Sequence, residues 1–270
     1  SMRPVQALKD FFQKGDVLLL TLCVIANLLG VALIYSATRY DEALWSFPLK
    51  QAMFLCMGIV IYVVVTFVDI EFLLEKWWKV FLLLGLVVIL LIKPFGQDGD
   101  TGNRSWVFLP GLPFGFQPGE IAKLAFIAVL AWLINHERPG GVSRFSSLIK
   151  YGILTMVFAG LLAVLSGDYG MVLVYLFIFV AMAWVGGVKK RWFICVGGGL
   201  VAAVVVLWNF VLPHTKYWTD YRILRFRVVF DHTLDPLGTG WQQSRSLLAI
   251  GSGQLTGMGY LQGKQTQSAL

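Results

Sequence analysis

Seven stretches of this chain run almost free of charge for about twenty residues each, and the polar residues gather in the gaps between them. The apolar runs fall at about 16–37, 50–68, 77–95, 118–135, 148–166, 169–188 and 192–212. Roughly 20 mostly apolar residues carry a helix across a hydrocarbon core of about 30 Å. These runs are continuous rather than alternating residue by residue, which favours helices over a membrane β-barrel. The expected fold is all-α: a polytopic transmembrane helix bundle of seven spans over residues 1–212. An outer region, 213–270, follows with short surface helices. Trp77 and Trp78 open the third run, where an interfacial position would suit them. The fourth run is the least apolar, because Glu120 and Lys123 lie near its start.

Composition agrees. Hydrophobic residues make up 57% of the chain and charged ones 14%, with a mean hydropathy of +0.73. A soluble domain of this length would need more charge to cover its surface. Orientation follows from where Lys and Arg fall. One set of gaps carries Arg3, Lys9, Lys14, Lys76, Lys79, Arg138, Arg144, Lys150, Lys189, Lys190 and Arg191; the other carries only Arg39, Lys50, Lys93 and Arg104. Eleven cations against four predict a cytoplasmic N-terminus and, after seven crossings, an extracytoplasmic 213–270. This bias supplies half of the 22 Lys and Arg, so the net charge of +7 needs no nucleic-acid partner.

The first run is too long for a signal-peptide core and no small-residue cleavage site follows it, so it is expected to be retained. Before it, Val5, Leu8, Phe11 and Phe12 alternate with Arg3, Lys9 and Lys14, either as a helix on the inner membrane face or as a plain tail. Cys23, Cys56 and Cys195 all sit in apolar runs and read as small buried hydrophobes without a disulfide framework. His136, His214 and His232 are scattered, so no metal site is expected from them.

Two outer regions are long and polar enough to hold chemistry. The loop 96–117 is rich in Gly and Pro, which predicts irregular backbone, and offers a cation, Arg104, and an aromatic plate, Trp106. It leads into Pro118, suited to a first helical position. Glu120 and Lys123 then share one helix face. Charges in a membrane are costly and point to a protein interior or a wet cavity. The pair could line a cavity for an anionic substrate or simply pin the bundle. Asp168 precedes the sixth run as an N-cap, with direct contact to substrate or cation as the alternative. In the tail, Arg222, Arg225 and Arg227 alternate with apolar residues and could hold a diphosphate or anchor to lipid headgroups. Glycines at 251, 253, 257, 259 and 263 lack the strand and helix of a nucleotide loop and read as turns after a surface helix at about 241–250.

Several of these segments carry a family pattern. Asn103-Arg-Ser-Trp106, Phe116-Gln-Pro-Gly-Glu-Ile-Ala-Lys123 and Gly167-Asp-Tyr-Gly170 resemble the SEDS family of cell-shape and division proteins, RodA and FtsW. So do Phe230-Asp-His-Thr-Leu-Asp-Pro-Leu-Gly-Thr-Gly-Trp-Gln-Gln-Ser244, Ile250-Gly-Ser-Gly253 and Gly263-Lys-Gln-Thr-Gln267, the last in a RodA-like form. The motifs run in matching order over most of the chain. The resemblance implies a peptidoglycan glycosyltransferase of the bacterial cytoplasmic membrane, polymerising lipid II, an undecaprenyl-diphosphate-linked disaccharide pentapeptide, beside a class B penicillin-binding protein. Arg104, Trp106, Glu120, Lys123, Arg245, Lys264 and Gln265 are the implied substrate-binding residues, with Glu120 positioning Lys123, and Asp168 and Glu120 the secondary carboxylate candidates. A divalent cation, Mg or Mn, could assist at the diphosphate, although no ligand cluster calls for one. The family has ten spans, and its proposed catalytic Asp follows beyond the position of Leu270. The sequence is therefore expected to be a fragment or a shortened variant that does not polymerise alone. Two other readings stay open: a flippase for the lipid-linked precursor, and a non-catalytic scaffold for the penicillin-binding protein.

Overall fold

The computed structural model describes residues 12, 15–39, 42–97, 103–111, 114–138, 140–215, 221–231, 234 and 239–263. Among the described residues, seven long helices follow one another: α1 Val17–Thr38, α2 Ser46–Thr66, α3 Ile70–Leu90, α4 Pro118–His136, α5 Phe145–Leu165, α6 Tyr169–Gly186 and α7 Lys190–Val206. A helical turn, Ile92–Phe95, prolongs α3, and a wider turn, Leu207–Val211, prolongs α7. All seven spans are long and apolar enough to cross a membrane. Two further helices, α8 (Tyr221–Phe230) and α9 (Thr239–Gly253), lie in the tail.

Helix starts are set by caps as much as by hydropathy. Asp16 accepts from the Leu19 amide at 2.9 Å to open α1, and Asp69 accepts from Phe72 at 3.0 Å to open α3. That second cap moves the third helix seven residues ahead of the expected start at Trp77, through Glu71, Glu75 and Lys76. Trp77 is instead a kink within the helix, at φ −122° and ψ 17°. The loop expected to be irregular contains a short ribbon. β1 (Gly96–Gln97) pairs antiparallel with β2 (Trp106–Val107), and Val107 exchanges backbone bonds with Phe116 at 2.9 and 3.0 Å.

The chain divides into two compact units, Ser1–Val68 with Leu207–Leu270, and Asp69–Val206. In the first, α1 packs on α2; Gln51 donates to Asn27 at 3.3 Å and the Tyr62 hydroxyl to the Asp16 carbonyl at 2.8 Å. The tail belongs to this unit rather than standing apart: Tyr260 donates to the Ala32 carbonyl at 2.9 Å, and Arg39 to that of Leu261 at 3.4 Å. Within the tail, Gly257 and Gly259 adopt positive φ (73° and 99°), the turn geometry expected of the glycine series, whereas Gly251 and Gly253 fall within α9.

The second unit has α4 at its centre, packed against α3, α5 and α6. Gly119, Ala122, Phe126, Val129 or Leu130 and Ile134 recur at helical spacing and are buried. Phe126, Phe158 and Tyr175, one from each of α4, α5 and α6, form an aromatic knot with centroids 5.0–6.2 Å apart. Gly85 permits close packing: a Cβ there would stand 2.7 Å from that of Ala125. Cys23, Cys56 and Cys195 are exposed on helix faces, contrary to expectation. In a spanning helix such a face meets lipid, so an apolar position need not be buried in protein.

Candidate functional site

The first turn of α4 and the loop that leads into it form the candidate site, wholly within the second unit. Pro118 occupies the start of α4, and the hydroxyl of Tyr175 donates to the Gly119 carbonyl at 2.9 Å, docking α6 onto this turn. The packing there is tight: a Cβ on Gly119 would come to 3.1 Å from the Met171 side chain. One turn on, Lys123 Nζ donates to both oxygens of Glu120 at 2.9 Å each. The partners differ in exposure: the Glu120 side chain is 55% exposed and that of Lys123 only 19%. The carboxylate thus faces outward while holding a cation that is largely covered by protein.

Asp168 does two jobs. Its Oδ1 accepts from the Met171 amide at 3.1 Å and caps α6. Its Oδ2 accepts from Ser105 at 3.1 Å and Gln117 at 3.4 Å, 63 and 51 residues away in sequence. The Ser105 and Ser166 hydroxyls meet at 3.1 Å, and the Arg104 amide donates to the Ser166 carbonyl at 2.9 Å. Both ends of the segment 104–117 are therefore lashed to the α5–α6 turn. Strand alternation in β2 buries Val107 and leaves Trp106 half-exposed. Sequence reasoning placed Arg104, Trp106, Glu120, Lys123 and Asp168 on this list but missed Ser105, Gln117 and Ser166. Serines and a glutamine beside turns carry no distinctive signal until their partner is known.

The remaining candidates belong to the first unit or fall outside the described residues. Arg245 is exposed on α9 in the first unit, its guanidinium 5.2 Å from the centre of the Trp241 ring. Arg227 is half-buried on α8; the side chains of Arg222 and Arg225 fall outside the described residues, as do Lys264, Gln265 and the segment 1–11. Among the described residues, no group of three His, Cys, Asp or Glu could hold a metal ion. The two carboxylates at the site are already engaged, Glu120 by Lys123 and Asp168 by three donors. They do not fit a divalent-cation site.

The profile of the FtsW/RodA/SpoVE cell cycle protein family matches residues 16–270. The chain belongs to this family. It is a multi-pass membrane protein of the SEDS type. A probable peptidoglycan glycosyltransferase FtsW from Geobacter sp. (strain M18) is 31% identical over 257 residues, 93% of this chain and 66% of that protein. One from Haemophilus influenzae is 29% identical over 90% of this chain and 60% of that protein. The chain thus spans a little under two thirds of the length of these relatives. The fold is shared with a solved structure described as structural coordination of polymerization and crosslinking by a peptidoglycan synthase complex. That match has a TM-score of 0.66 and 29% identity, over 87% of this chain and 65% of that one. The crystal structure of Thermus thermophilus rod shape determining protein RodA shares the fold at a TM-score of 0.54 and 24% identity, over 69% of this chain and 58% of that one. The relatives named FtsW lend no support to the RodA-like reading of Gln265–Gln267.

Proposed function

We propose that this SEDS chain supplies the substrate-binding end of a peptidoglycan glycosyltransferase that polymerises lipid II for the cell wall. The reaction joins an acceptor sugar hydroxyl to the anomeric carbon of the donor, breaks the bond from that carbon to the diphosphate, and passes the hydroxyl proton to a base. The leaving diphosphate needs fixed positive charge. The carrying observation is the covered Lys123, held by an outward Glu120 in the first turn of the central helix. Glu120 is a positioning residue for that cation, Trp106 offers a face for a sugar, and Arg104 a second cation on the loop lashed down by Asp168. The orientation read from the Lys and Arg distribution puts this end outside the cytoplasm, where a class B penicillin-binding protein would crosslink the product. Relatives named FtsW favour a role in division; the Gln265–Gln267 motif favours elongation, and the partner captured from each machinery decides between them.

A flippase would carry the diphosphate through the whole membrane depth. Between Lys123 and His136, α4 runs Leu124 to Asn135 without a charge, which favours the polymerase. Lipid II polymerisation in detergent tests the proposal, comparing this chain with a form covering the full length of its relatives, each beside Glu120→Ala. Product from the long form, strongly reduced by Glu120→Ala, is the expected result. Transfer of a lipid-linked precursor across vesicles without any polymer would overturn it.

A further inference from the structure

The opposite end of the second unit carries a feature that the polymerase reading does not use. The α4–α5 turn and the α6–α7 turn flank an open cavity of about 680 Å³. Arg138, Arg144, Lys189 and Arg191 line it, and no Asp or Glu does. Glu137, the nearest acid in sequence, is bonded to Lys150 and to Ser147. Among the described residues, none of these four cations forms an ion pair with a carboxylate; the acid beside them, Glu137, is paired with Lys150. The walls are built, not incidental. The Lys189 amide donates to Ser143 Oγ at 2.9 Å, tying one turn to the other, and Phe145 stacks on Trp192 at 6.0 Å, tying α5 to α7.

This basic cavity adjoins an apolar one of about 400 Å³, sharing Arg138 and Gly186 with it. Both volumes fall within the roughly 300–1,000 Å³ of ligand sites. The apolar groove runs between α4 and α6, lined by Ala131, Ile134, Met182 and Val185. Where the helices close, Gly186 allows the approach: a Cβ there would stand 2.6 Å from the Ile134 side chain. A cluster of cations at the ends of four spans, opening into an apolar groove between two of them, matches the two halves of one molecule. Basic pockets between spans are suited to anionic lipid headgroups.

We propose that this end of the bundle seats an anionic phospholipid, its phosphate among Arg138, Arg144, Lys189 and Arg191 and an acyl chain in the α4–α6 groove. A soluble phosphate would use the cations and leave the groove without a role; a lipid uses both. The groove between α3 and α4 on the far side of Ala131 and Asn135 carries Glu71 and Glu75, which disfavours an anion there and confines the headgroup to the basic side.

The test is lipid retention by the whole 270-residue chain in neutral detergent, read by native mass spectrometry. Phosphatidylglycerol is compared with phosphatidylcholine, with inorganic phosphate as competitor. Each cation removed near a membrane surface weakens attraction about fivefold, so Arg138→Gln with Arg144→Gln should lower phosphatidylglycerol retention by about 25-fold. Lys76→Gln with Lys79→Gln, which removes two charges outside the cavity, should leave it unchanged. Ala181→Phe, filling the groove with every cation in place, should also release the lipid. Three results would overturn the proposal: equal retention of the two lipids, an equal fall in both charge-removal pairs, or full displacement by phosphate with no effect of Ala181→Phe.

Discussion

At its first turn α4 carries a cation and a carboxylate that satisfy each other, whereas just past its last turn cations gather with no acid to meet them. The difference is not one of composition alone. At the Glu120 end, every described carboxylate is spent on structure: Glu120 holds Lys123, and Asp168 caps α6 while gripping Ser105 and Gln117. At the Arg138 end, Glu137 turns toward Lys150 and Ser147 and leaves Arg138, Arg144, Lys189 and Arg191 facing a cavity. One end is a polar framework assembled before any ligand arrives. The other is positive charge waiting for a counter-ion, and the membrane is the nearest source of one.

The comparison breaks most visibly at Lys123. Lys123→Ala removes the covered cation and leaves Glu120 exposed to solvent, so the fold should survive while turnover falls. Removing one preorganised charge from a transition state costs on the order of 10²–10³ in rate, and that loss is expected in kcat/KM for lipid II polymerisation when the substitution is made in the form covering the full length of the relatives. Glu120→Gln keeps an acceptor for Lys123 but loosens its position, and should cost on the order of tenfold. Equal losses in both variants would mean that Glu120 acts on substrate directly.

Asp168 tests whether the framework is structural. Asp168→Ala loses a cap worth about 1 kcal/mol and bonds from Ser105 and Gln117 to a charged acceptor, so about 2–4 kcal/mol is expected in all. Asp168→Asn can still cap and should lose about half as much. Unfolding midpoints in detergent, together with faster protease cleavage within 96–117 for the Ala variant, check both statements. A variant that unfolds normally but fails to polymerise would move Asp168 from scaffold to chemistry.

What the sequence discloses about these two ends is uneven for physical reasons. Continuous apolar runs make seven spans legible, because twenty residues without charge have few other homes. The start of α3 was not legible: Glu71, Glu75 and Lys76 lower local hydropathy, and the decisive signal, Asp69 as a cap, is only one residue long. The cap at Asp168 was legible from Ser166-Gly-Asp-Tyr169, but its second oxygen was not, since its partners lie 51 and 63 residues away. The ribbon of Gly96–Gln97 with Trp106–Val107 is too short to leave a period. Arg138, Arg144, Lys189 and Arg191 were visible only as a charge bias that orients the chain. Their convergence on one cavity comes from two turns brought together by the packing of α4, α5, α6 and α7.

A smaller effect is expected from pH. The hydrogen bond from Lys150, then that from Ser147, holds the Glu137 carboxyl below its ordinary value of 4.5. The unfolded chain therefore takes up this proton first as pH falls. The contribution of Glu137 is complete above about 4.5 and is lost as pH drops through the lower folded value. Glu137→Gln should flatten the decline of the unfolding midpoint between neutral and acid pH, and an unchanged slope would exclude the pair as its source.

The smallest effect should come where charge is densest. Arg138→Gln with Arg144→Gln breaks no ion pair among the described residues and leaves the Ser143–Lys189 and Phe145–Trp192 ties in place. In neutral detergent its unfolding should stay within about 0.5 kcal/mol of the parent. Adding phosphatidylglycerol at a hundredfold excess over its dissociation constant should then raise the parent by about 2.7 kcal/mol and the double variant by far less. If the variant were already destabilised without lipid, the four cations would belong to the fold, and the contrast between the two ends of α4 would be one of degree. If only the lipid response disappears, the chain keeps its negative charge at one end for its own framework and draws it from the bilayer at the other.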